Sequence, residues 1–179
     1  MTSVVAFHAT DPASVYLSAW ARTEGMAVDD LERALYRERT LVKHLAMRRT
    51  LFVFPRATLR DAQAGASDRV AERERRGLIR DVERAGLQPD GERWFATARE
   101  EVLAALADGR EATSSELREA LPSLAGAILV GEGKRWGREA LIAPRVLNAL
   151  SAEGRIVRAT NAGGWTTSRP RWTAMAAWL

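Results

Sequence analysis

The 179 residues carry 46% apolar and 28% charged side chains, enough for one large globular domain or two small ones, and no apolar run approaches the ~18 residues of a membrane-spanning helix. There are no cysteines and only two histidines, His8 and His44, which excludes disulfides, thiolate zinc sites and cysteine nucleophiles and argues against zinc held by several imidazoles. The net charge of +4 is unevenly spread: residues 1–32 sum to −4, 33–60 to +7, 61–133 to −5 and 134–179 to +6, as expected of a polyanion binder. Arginine supplies 25 of the 27 basic side chains, a bias that codon usage alone also produces. The segment Met1 to Phe7 lacks the basic start of a signal peptide, so the expected location is the cytoplasm, at the nucleoid.

Asp11-Pro12 predicts a helix start, with Asp as N-cap and Pro at the first helical position. That helix carries Val15, Ala19 and Trp20 on one face, with Trp20 read as core, and stops near Gly25. A second begins around Asp29 with Leu31, Ala34 and Leu35 inward. A third is expected over Thr40 to Met47, Leu41, Val42 and Leu45 inward and Lys43 outward, followed by a strand from Arg49 to Phe54 that Pro55 closes. Residues 56–91 read as a connector, with Ser67-Asp68 capping a long helix and Leu87 to Gly91 forming a turn. Farther on, Thr97 with Glu100 and Thr113 with Glu116 read as capping boxes for two helices, the first ended by Gly109 and the second before Pro122. A short strand over Ala127 to Val130, a loop from Gly131 to Gly137 and a helix from about Pro144 to Gly154 come next. Arg155 to Arg158 then reads as a strand, Asn161 to Gly164 as a hairpin turn and Trp165 to Trp172 as the returning strand. The expected fold is α+β, mainly helical, with tandem winged helix-turn-helix units bearing short β-hairpin wings: residues 1–60, a connector over 61–92, and residues 93–179. Trp94, Trp165 and Trp172 read as core, and the glycine-rich loop lacks the spacing of a nucleotide-binding loop.

Arg39-Thr40-Leu41-Val42 through Met47-Arg48-Arg49-Thr50-Leu51-Phe52-Val53-Phe54-Pro55 resembles a segment of the winged-helix DNA-binding family that includes the AlkZ/YcaQ-type DNA glycosylases. The end is similar too, with Glu153-Gly154-Arg155-Ile156-Val157-Arg158 followed by Gly164-Trp165-Thr166-Thr167-Ser168-Arg169-Pro170-Arg171-Trp172. The resemblance covers nearly the whole chain and implies a protein of double-stranded DNA that needs no metal or cofactor. It also implies a fragment or a truncated member, since the family's members are longer at both ends. In those glycosylases two Gln separated by one apolar residue precede the Asp-Pro helix start, and the matching positions are His8-Ala9-Thr10. Residues i and i+2 of an extended chain face one side, so both side chains can point at a flipped nucleotide. A neutral histidine can act as general base on water, since histidine titrates near neutrality. Thr10 can offer one hydrogen bond. A histidine beside an N-cap also serves as a local hydrogen-bonding residue, and that reading stands beside the catalytic one.

The expected DNA contacts are Arg37, Arg39, Lys43, His44, Arg48 and Arg49 around the first helix-to-wing junction. Lys134, Arg135, Arg145, Arg155, Arg158, Arg169 and Arg171 surround the second. Arginine's planar fork and weak hydration suit phosphates and minor grooves, although several of these side chains could instead solvate exposed faces or pair with Glu38, Glu139 and Glu153. A non-enzymatic transcription regulator built on the same units is the alternative, and sequence preference would separate it from a lesion-seeking enzyme.

Overall fold

The computed structural model describes residues 5–131, 133, 135 and 137–179; Lys134 lies outside the described residues. β1 (Phe7–His8) leads into α1 (Pro12–Trp20), where Asp11 caps by accepting from the Ser14 backbone N–H at 3.0 Å. α2 (Val28–Glu32) runs on through a widened turn over Arg33–Arg37, in which the Glu38 N–H reaches back to the Arg33 carbonyl at 2.8 Å. Arg39 adopts a left-handed φ of 56° and ends the helix.

The expected third helix is a strand instead. Leu41–Ala46 forms β2, paired antiparallel with β3 (Thr50–Pro55), and β1 joins the far side of β3 to give the order β1-β3-β2. The cause is burial on both faces. Cross-strand partners share a face, so Phe7, Val53 and Lys43 lie on one side and His8, Phe52 and His44 on the other. The first side packs under Val15, Tyr16, Leu31 and Leu35; on the second, Val42 meets Val157, Ala159 and Trp178. A strand covered on both sides reads as an unbroken apolar run, and the spacing of Leu41, Val42 and Leu45 fits a helix equally well.

α3 (Leu59–Ala62), a second widened turn (Gln63–Ser67) and α4 (Asp68–Arg84) make one helical run. Ser67 therefore caps nothing; it is buried, and its hydroxyl donates to the Ala62 carbonyl at 3.2 Å. α4 gives Ala71 to the first core and Leu78, Ile79 and Val82 to the larger one. α5 (Gly91–Ala105) starts at Asp90, which accepts from the Arg93 N–H at 2.9 Å. The expected Thr97–Glu100 box is thus inside the helix, where the Thr97 hydroxyl bonds the Arg93 carbonyl at 3.1 Å. Gly91 permits the close α4–α5 approach, for a Cβ there would sit 2.8 Å from Ile79 Cγ2. The Thr113–Glu116 box does cap α6 (Ser114–Ala120), with the Glu116 N–H on Thr113 Oγ1 at 3.2 Å.

β4 (Ala127–Val130) pairs with β5 (Arg138–Leu141), a strand not expected from the sequence, and α7 (Ile142–Ala152) is buried along most of its length. β6 (Ile156–Asn161) and β7 (Pro170–Ala174) form the last hairpin, and α8 (Met175–Trp178) follows. The return strand starts later than expected because Asn161 organises a long turn. Its Nδ2 donates to the Gly163, Gly164 and Thr167 carbonyls at 2.9, 3.1 and 2.8 Å, and its Oδ1 accepts from the Arg169 N–H at 2.7 Å. Trp165 sits in that turn against Tyr16, with ring centroids 5.6 Å apart.

Ala112 pairs with Trp172 of β7 as β1 pairs with β3. From Ala112 onward the second half therefore repeats the order of the first, an edge segment, two helices and a hairpin whose second strand takes the edge segment, with α5 preceding it. The second half adds β4–β5 between its helices. Trp94 and Trp172 are core, at 7% and 3% exposure, but Trp20 is 65% exposed: α1 buries Val15, Tyr16 and Ala19 and turns Trp20 toward exposed Leu17. No helix among the described residues is long and apolar enough to cross a membrane.

Candidate nucleotide site and basic surface

The alternation of β1 carries past its end. Phe7 and Ala9 are buried while His8 and Thr10 are exposed, which sets His8 and Thr10 on one side of the extended segment. His8 stands at the open edge of the sheet with its ring edge-on to Phe52, centroids 5.7 Å apart. Among the described residues no hydrogen bond ties down either polar side chain, so both are free to meet a ligand. Asp11 is not free: its carboxylate accepts from the Ser14 N–H at 3.0 Å and the Ser14 hydroxyl at 2.8 Å.

Behind the segment lies a cavity lined by Ala9, Tyr36, Lys43, Leu51, Arg158 and Ser168, between the first sheet and the β6–β7 hairpin. Lys43, expected to face outward, points into it, and its Nζ donates to the Tyr36 hydroxyl at 2.7 Å. Burial, then the neighbouring Arg158 charge, push the Lys43 ammonium down to about 8, with Glu32 opposing. Burial likewise raises the phenols of Tyr36 and Tyr16, which lie side by side. The Arg158 guanidinium stacks 5.1 Å over Trp172, and its Nη2 reaches Asn148 Oδ1 at 3.4 Å. Its Nε is buried without a partner, and burial holds its pKa below the usual arginine value. Tyr36 escaped the sequence reading, since nothing local marks a helical tyrosine as lining a cavity against a distant strand.

The structure divides the remaining expected contacts. Arg48 and Arg49 are exposed at the β2–β3 turn, both left-handed with φ of 57° and 60°, a strain of about 1 kcal/mol each for non-glycine residues. Arg135 and Arg169 are exposed in the two later hairpin turns. Arg37 is exposed and paired with Asp29. Arg155 borders an open groove with Arg99 and Glu153, whose carboxyl is raised by burial against the pull of Arg99 and Arg155. Arg171 is held by the Glu111 carbonyl at 2.9 Å and Glu116 at 3.2 Å, and Arg145 by Asp81 at 2.8 Å. Arg39 lies 4.0 Å over the Trp178 ring. His44 departs most sharply from expectation, for it is fully buried and presents nothing to a DNA surface. Among the described residues no group of three or more His, Asp or Glu could hold a metal ion.

Neither ring nitrogen of His44 has a hydrogen-bond partner, and burial lowers its pKa below 6.5, against weaker opposing effects of Gln63 and Asp68. The folded state thus resists the proton that the unfolded chain accepts. Stability is full above 6.5 and falls as pH drops through that value toward the folded pKa, by at most about 1.4 kcal/mol per pH unit. Melting temperatures between pH 7.5 and 5 should fall more steeply for wild type than for His44→Phe; parallel curves would contradict the assignment.

No curated protein and no solved structure matches the chain significantly. A family model described as DNA glycosylase AlkZ-like matches residues 1–179. The sequence segments, the mainly helical α+β fold and the exposed His8–Thr10 pair sit within that match, and the chain belongs to the AlkZ-like DNA glycosylase family.

Proposed function

We propose that the chain binds double-stranded DNA through two winged-helix units, residues 1–60 and 93–179, and acts on the N-glycosidic bond of an alkylated purine, with His8 and Thr10 lining the nucleotide site. The family match over residues 1–179 carries this reading. Two features support the winged-helix part: the shared order of the two halves, and the order β1-β3-β2 that pairs the edge strand with the second hairpin strand. On this reading α2 with its widened turn takes the place of the recognition helix, and Arg48–Arg49 and Arg169 are wing tips that meet phosphates. The arginines committed to Asp81, Glu116 and Trp178 serve mainly to hold the units.

For chemistry, a purine flipped from the stack would present its sugar C1′ to the exposed side of residues 8–10. The His8 imidazole takes a proton from water as the water oxygen bonds to C1′. The C1′–N9 bond breaks and its electron pair leaves with the base. An N7-alkylated purine leaves readily, because the departing pair neutralises its ring charge. Thr10 supplies one hydrogen bond to the water or the sugar. No metal or cofactor enters this step.

The test is incubation with duplex DNA containing N7-alkylguanine. Wild type should release the base, and His8→Ala should do so about 10²-fold more slowly. Duplex binding should weaken steeply with salt in both proteins. Salt-sensitive binding with no base release by either protein would remove the enzymatic part and leave DNA binding.

A further inference from the structure

The cavity behind residues 8–12 holds two cations and no anion. Elsewhere Arg75, Arg145 and Arg171 are answered by the carboxylates of Glu92, Asp81 and Glu116, and partly buried Arg39 by the ring and carbonyl of Trp178. Among the described residues Lys43 and Arg158 have no ion pair at all. For polar partners Lys43 has only the Tyr36 hydroxyl at 2.7 Å, and Arg158, stacked over Trp172, only a long hydrogen bond to Asn148, leaving its Nε buried and unpartnered. Glu32 is the one acid whose charge acts on Lys43, and its influence is smaller than that of burial or of Arg158. Two like charges facing each other out of water are unfavourable unless an anion joins them. The space between them, about 10 Å³, admits one water-sized group and neither a base nor a sugar.

We propose that the Lys43–Arg158 cavity is a phosphate receptor, which seats one anionic oxygen between the Lys43 ammonium and the Arg158 guanidinium. A tetrahedral phosphate can place one oxygen inside and keep the others at the mouth, where Ser168 is exposed. Arg158 donates through Nε, and Lys43 through the protons not given to Tyr36. The receptor joins the first unit to the β6–β7 hairpin, so an occupied cavity braces one half against the other. Because Ala9 and Pro12 also line it, the phosphate source on the DNA reading is the backbone next to the nucleotide at His8. That source rests on the function proposed above; capture of inorganic phosphate does not.

Melting in inorganic phosphate against chloride at matched ionic strength tests the receptor without any variant. Phosphate should raise the wild-type melting temperature, and Lys43→Met and Arg158→Met should lose that rise while melting higher than wild type in chloride, a buried charge being gone. Against random duplex DNA each variant should bind about tenfold more weakly, with a log K against log salt slope smaller by about 1. A wild type that melts identically in both salts overturns the receptor. A phosphate effect with unchanged DNA binding in the variants overturns the DNA source and leaves free phosphate as the ligand. A wild type that takes phosphate but no duplex supports the receptor and overturns the proposed function instead.

Discussion

Asp81→Ala should destabilise the protein by about 3 kcal/mol, the low end for removing one partner of a buried pair. Asp81 lies on α4 and Arg145 on α7, 2.8 Å apart, with side chains 31% and 25% exposed. The Arg145 Nη1 is already buried without a partner. Removing the acid leaves a partly desolvated guanidinium with no carboxylate between α4 and α7. Arg145→Met should be close to neutral, since it removes the charge and keeps the apolar stem. In the double variant most of the Asp81→Ala loss should be recovered. Urea denaturation of the four proteins measures the coupling directly. A loss under about 1 kcal/mol for Asp81→Ala would class the pair with exposed ones and return Arg145 to the candidate DNA surface.

Features set by neighbours in sequence were legible from the chain alone. Asp11-Pro12, the Thr113–Glu116 box and Gly154 act within one helical turn, and the structure uses each where the residues place it. Features set by distant contacts were not. The run Leu41–Ala46 became a strand because β6 and α8 cover the side that a helix would have left to solvent. Thr97 looked like a cap, but Gly91 lets α5 begin against α4 seven residues earlier than the polar pattern suggests, with Asp90 as the cap. The candidate site divides in the same way. His8 and Thr10 could be paired by the period of an extended chain, whereas Tyr36, Lys43 and Arg158 meet only because the last hairpin folds back on the first sheet. Basic residue type therefore located a charged surface without separating its arginines. Arg48 and Arg169 face solvent, while Arg145 and Arg158 are partly buried and held by neighbours, a difference written in Asp81 and Trp172 rather than near the arginines themselves.

Trp178→Ala should cost about 4 kcal/mol, in the range for truncating a large core aromatic and a large part of the roughly 5–15 kcal/mol of a typical domain. Trp178 is 5% exposed and packs with Val42 of β2 and with Val157 and Ala159 of β6, so one side chain closes the seam between the halves. It also receives Arg39, whose guanidinium lies 4.0 Å over the ring and donates to the Trp178 carbonyl at 3.1 Å. Arg39 holds a left-handed backbone at φ 56°, strained for an arginine. Arg39→Leu, which removes the cation and leaves the ring in place, should lose only about 1 kcal/mol. Trp178→Phe should fall between the two, because a smaller ring retains part of the apolar contact. If α8 joins the halves, Trp178→Ala should also divide a single melting transition into two, as the first sheet loses its brace before the larger core unfolds. One undivided transition with a loss under about 1 kcal/mol would show instead that the halves are held by α4 and α7, and that Trp178 covers the seam without securing it.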